Sequence, residues 1–138
     1  MDPYALSLLL WYFREYRRIA GLNMLTIRND QMSVFSEASV KEFSDWTLVH
    51  LRKFFPKYRA ASDYTLRELI EYGIARARVY RVTARREVCR YIDLMAVFGR
   101  DFDTDPQLPW AAEILQHPGF GATRIPRLMD SAQKHLRR

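Results

Sequence analysis

The sequence predicts an all-α protein, a compact bundle of five to six helices with one long central helix. Three observations predict it. Apolar residues recur at helical spacing in segment after segment, and no segment sustains the alternation of a half-buried strand. Stop and start signals at Pro56, Ser62, Gly99 and Pro109 cut the chain into helix-length pieces. Five glycines are too few for the many turns of a β-sandwich. The 49% apolar and 14% aromatic content of the 138 residues supplies one core and excludes disorder as a description of the whole chain.

The first helix is expected within residues 1–23, with Asp2 as N-cap, Pro3 in the first turn and Gly21 past the end. Leu6, Leu9, Leu10 and Phe13 line one face, and Arg14, Arg17 and Arg18 suit the negative end of the helix dipole. The apolar run lacks the basic n-region and the cleavage site of a signal peptide. It is also far short of the ~20 residues that span a bilayer. Met24-Leu25-Thr26 reads like a second start, so residues 1–23 are set apart as an appended or docked helix, and residues 24–138 form a single helical domain.

A long helix is predicted over residues 26–54, capped by Thr26 and about 40 Å in length. It has two apolar stripes: Met32, Phe35, Phe43, Trp46 and Val49 on one, Val40, Leu48, Leu51 and Phe55 on the other. Such a helix is expected to lie between neighbours. Pro56 stops it. Ser62 caps the next helix, whose stripe runs through Leu66, Leu69, Ile70, Gly73, Ala77 and Tyr80. Gly73 and Ala77 on that stripe predict a close helix–helix approach. After a short spacer at Arg81-Val82, Thr83 opens a helix with Val88, Tyr91, Ile92, Met95 and Phe98 inward, ended by Gly99. The two form an αα-hairpin. A turn then leads to a helix from Trp110 to about Gln116, broken by His117-Pro118-Gly119. The last helix runs over residues 123–135 on Ile125, Leu128, Met129, Ala132 and Leu136.

Catalytic chemistry is not expected. The single cysteine, Cys89, excludes a disulfide framework and a zinc site built from cysteines. Arg85, Arg86 and Arg90 are the kind of neighbours that activate a thiol, but no histidine lies near Cys89 in sequence, so it is read as packing. Asp101, Asp103 and Asp105 alternate like calcium ligands, yet Pro106 and Ala112 stand where an EF-hand needs glycine and glutamate. They are read as turn residues that bond backbone N–H groups and cap the following helix. His50, His117 and His135 share no metal-binding spacing, and His50 is expected to be a partly buried, hydrogen-bonded imidazole. Glu68 and Glu71 beside Arg67 suit helix-surface ion pairs. No cofactor, metal or catalytic residue is assigned.

The charge of +6 is uneven: residues 74–90 contribute +5, the C-terminal stretch +4, and the remainder is about −3. A basic hairpin resembles a helix-turn-helix, but its second helix is too apolar to read bases. Arginine also suits an acidic protein surface, because its fork matches carboxylates. The candidate partner-binding residues are Arg76, Arg78, Arg81, Arg85, Arg86 and Arg90 on the hairpin, with Asp101, Asp103, Asp105 and Trp110 in the loop after it.

Three stretches resemble a known family. They are Met24-Leu-Thr-Ile-Arg-Asn-Asp-Gln-Met32, Leu66-Arg-Glu-Leu-Ile-Glu-Tyr-Gly-Ile-Ala-Arg-Ala77, and Phe98-Gly-Arg-Asp-Phe-Asp-Thr-Asp-Pro-Gln-Leu-Pro-Trp-Ala-Ala-Glu-Ile-Leu115. They are similar to small helical bacterial proteins associated with type VI secretion loci, beside spike (VgrG, PAAR) and effector-adaptor genes. The resemblance covers about residues 24–116. It implies a non-enzymatic cytoplasmic accessory protein, a co-adaptor or chaperone that binds an effector, adaptor or spike protein. An immunity protein neutralising a cognate toxin is the alternative, and a small nucleic-acid-binding regulator a further one.

Overall fold

The computed structural model describes residues 37–137, which form five α-helices joined by short 3₁₀ turns. In chain order these are α1 (Glu37–Phe54), a 3₁₀ turn (Pro56–Tyr58), α2 (Asp63–Val79), α3 (Arg85–Phe98), a 3₁₀ turn (Phe102–Thr104), α4 (Pro109–Gln116), a 3₁₀ turn (Gly121–Thr123) and α5 (Arg124–Leu136). No strand occurs among the described residues. The helix expected within residues 1–23, the seam before Thr26, and Met32 and Phe35 of the long helix lie outside them.

Local signals set most boundaries. Phe55 is extended (φ −124°, ψ 92°), as a residue before proline must be, and α1 ends there. Ser62 Oγ accepts the Thr65 N–H at 3.2 Å, which caps α2. Gly99 takes φ 114° and ends α3, and Pro109 supplies the first turn of α4.

The start of α3 differs from expectation. Ala84, not Thr83, is the N-cap, and no side chain caps it. The cause lies at the end of α2, where a Schellman turn occupies the spacer. Val82 N–H bonds Ala77 O and Arg81 N–H bonds Arg78 O, both at 2.9 Å. That motif buries Val82 against the α2 end, and the chain runs extended to Ala84 before it can wind again. Leu108 likewise begins α4 without a side-chain cap, so the loop aspartates do not cap it.

α3 lies at the centre of the bundle. Residues 88–96 are buried without a break, and α1, α2 and α5 pack around them. α4 lies on α5 and on the 3₁₀ turn that precedes it. α1 has a different place from the one its two stripes suggested. Phe43, Leu48, Leu51 and Phe55 are in the core, but Trp46 and Val49 are 54% and 64% exposed. Its inward face is completed instead by Ser44, Thr47 and His50.

Gly73 is where α2 and α3 meet most closely. A Cβ at that position would stand 2.6 Å from Ile92 Cγ1 and 3.1 Å from Met95 Sδ, both fixed in the core. Gly73→Ala gains about 1 kcal/mol of helix propensity. Overpacking takes back about 1–3 kcal/mol. The expected result in urea unfolding is a net loss of roughly 1 kcal/mol. A gain in stability would show that the helices have room to part.

Candidate functional site: the arginine hairpin and the aspartate loop

The chain reverses at Gly99, and the loop after it returns along α2, so the basic hairpin and the acidic loop face each other. Asp103 is completely buried and is held by Arg76 on α2 and by Tyr80 at that helix's C-cap, one helical turn apart. Arg76 Nη2 donates to Asp103 Oδ2, and the Tyr80 hydroxyl donates to the same oxygen at 2.6 Å. Arg76 also bonds the Tyr80 oxygen at 3.2 Å, with its guanidinium 5.7 Å from the Tyr80 ring centre. One turn earlier, the Tyr72 hydroxyl donates to Asp101, and Arg100 stacks over the Tyr72 ring at 3.9 Å. Phe102, between the two aspartates, is buried against Tyr91 with ring centres 5.0 Å apart. Of the three aspartates only Asp105 makes the local turn contact expected, accepting the Gln107 N–H at 2.9 Å.

The electrostatics follow this geometry. The hydrogen bond to Asp103 holds Arg76 more firmly protonated than an ordinary arginine. Burial, then the bond to Asp103, pushes the Tyr80 phenol up to about 12. Tyr91 is raised as well, by burial first and by the Asp103 charge second. The bond to Asp101 raises Tyr72. All three phenols therefore stay neutral, and those of Tyr80 and Tyr72 serve as donors to the loop aspartates.

The six arginines divide. Arg76 turns inward to Asp103, Arg85 pairs with Glu42 of α1 at 3.3 Å, and Arg90 is buried. Arg86 is half-buried. Arg78 and Arg81 face solvent at the turn, on either side of Val79, which is 64% exposed. Arg81 has φ 61°, the left-handed region that glycine normally occupies after a helix. Trp110 belongs elsewhere. Half-buried, it packs edge-on to Phe98 at 5.5 Å and beside His135 at 6.0 Å, lining a shallow groove of about 140 Å³ with Ser131 and Lys134. Arg67 pairs with Asp45 of α1 at 2.7 Å rather than with Glu68 or Glu71.

One cluster was not foreseen as a group. His50 is buried and hydrogen-bonded, with Nε2 2.9 Å from Asp93 Oδ1. Its ring lies between Trp46 at 5.1 Å and Phe54 at 5.0 Å. Cys89, also buried, lies beside this pair. The one sequence signal was the Cys89–Asp93 spacing, which places both on one face of α3. Nothing in the sequence tied His50 to that face.

The burial of residues 88–96 leaves only the first turn of α3 to approach a groove. No described helix is long and apolar enough to cross a membrane. No family model, no curated protein and no solved structure matches the chain.

Proposed function

We propose that the protein is a non-enzymatic accessory of a bacterial type VI secretion effector module. It acts in the cytoplasm as a co-adaptor or chaperone, docking the turn between α2 and α3 on an acidic patch of an effector, adaptor or spike protein. The resemblance over residues 24–116 supports the setting. The observation that carries the docking surface is Arg81. A non-glycine residue at φ 61° costs roughly 1 kcal/mol, and here the side chain held at that cost is an exposed guanidinium. Beside it stand Val79 and exposed Arg78, which also interacts within the chain, so the carboxylate-matching fork of Arg81 borders an apolar contact. Such a mixed surface fits a protein better than a phosphate backbone, which needs charge alone.

The test is co-expression with the neighbouring effector and spike proteins, followed by capture at moderate salt. Arg78→Glu with Arg81→Glu is expected to abolish capture at the cost of a modest drop in melting temperature, because Arg78 also interacts within the chain and both carboxylates stand at the negative end of the α2 dipole. Arg81→Gly is expected to raise stability by about 1 kcal/mol while weakening capture. Undiminished capture by the double variant would remove this surface from the proposal. Relief of the effector's toxicity by this protein alone would select the immunity role. Competition by DNA with steep salt dependence would select a nucleic-acid regulator.

A further inference from the structure

The geometry points to a divalent transition-metal site of the zinc type, built from His50, Cys89 and Asp93 between α1 and α3. An imidazole nitrogen, a thiol sulfur and a carboxylate oxygen are the three donor classes that zinc takes from proteins. One ring nitrogen of His50, Cys89 Sγ and one Asp93 oxygen all lie within 4.8 Å of one another. Donors at zinc bond lengths of about 2.0–2.3 Å in a tetrahedron stand roughly 3.3–3.8 Å apart. Closing the widest separation therefore takes a shift of about an ångström, within reach of side-chain rotation. The helices supply the frame: Cys89 and Asp93 are one turn apart on α3, and His50 comes from α1 packed against it. Facing helices of a bundle commonly build metal sites in this way.

Charge favours the same ligand. The three residues are 6%, 1% and 0% exposed, so a charged cluster here is costly. On binding, the divalent ion takes the place of the Cys89 thiol proton, which leaves to solvent. If the coordinating His50 nitrogen carried a proton, that proton moves to the other ring nitrogen. Thiolate, carboxylate and neutral imidazole then cancel the two positive charges, and the interior holds a neutral group. A sulfur and a nitrogen among three donors select zinc or cobalt over magnesium or calcium, which need oxygen. Cys89 is the only cysteine. His117 stacks on Phe120 at 3.9 Å, and His135 lies beside Trp110. The fourth position thus falls to water or another oxygen donor.

The experiment uses the full chain, stripped with a chelator and titrated with cobalt(II), then with zinc. One equivalent of cobalt is expected to produce the thiolate-to-cobalt charge-transfer absorption, zinc to abolish it, and each metal to raise the melting temperature. Cys89→Ala should lose the charge-transfer band, and His50→Gln should weaken binding about 100-fold or more. The wild-type spectrum needs no variant to fold and stands alone as a readout. No thiolate band at one equivalent overturns the site, and so does a melting temperature raised equally by magnesium. A band retained in Cys89→Ala overturns it as well. Any of these outcomes leaves a hydrogen-bonded His50–Asp93 pair with a packed thiol.

Discussion

Replacing Arg76 by alanine is expected to lower the unfolding free energy by about 3–4 kcal/mol, because it strands a buried carboxylate. The Arg76 side chain is 30% exposed, whereas that of Asp103 is 0% exposed. Without the guanidinium, Asp103 keeps only the Tyr80 hydroxyl, and its Oδ1 already lacks a hydrogen-bond partner among the described residues. The reverse change is expected to cost less. Asp103→Asn removes the charge from the interior and leaves Arg76 a head that water can reach, for a loss of about 1–2 kcal/mol. Urea unfolding of both variants checks the order. Losses below 1 kcal/mol for both would class the pair with ordinary surface bridges.

Phe102→Ala is expected to cost about 3–5 kcal/mol, the range for deleting a buried aromatic ring. Phe102 is 1% exposed and rests on Tyr91, itself completely buried in α3. The substitution leaves a hole at the centre of the bundle and frees the backbone that carries Asp101 and Asp103. Phe102→Leu, which keeps most of the volume, should cost about 1–2 kcal/mol. Thermal and urea unfolding measure both. A loss under 1 kcal/mol for the alanine variant would mean that the loop lies on the bundle without being part of it.

These two changes show why the loop was harder to read than the helices. Helix ends depend on neighbours in sequence, and Pro56, Ser62, Gly99 and Pro109 act where expected. Gly73 disclosed the close approach of α2 and α3 because a missing Cβ has few other uses on an apolar stripe. Thr83 misled because the preceding helix ends in a Schellman turn whose left-handed residue is Arg81, not the glycine that would have announced it. Asp103 looked like a solvated turn residue beside Asp101 and Asp105, since its partners Arg76 and Tyr80 are 27 and 23 positions away. The +5 of residues 74–90 does not all face outward as free charge, because Arg76 pairs with buried Asp103 and Arg85 with exposed Glu42. His50 and Cys89 were read separately and Asp93 not at all, and only the packing of α1 on α3 makes them a group.

Arg76, Tyr80 and Asp103 thus form an inner strap that holds the loop on the hairpin, while Arg78 and Arg81 stand exposed outside it. A double-mutant cycle on Arg76→Ala and Asp103→Ala separates the two. If Asp103 is the buried anchor of the loop, the coupling energy from urea unfolding is above about 2 kcal/mol. A coupling within about 0.5 kcal/mol of zero would place the pair on the surface and contradict the division.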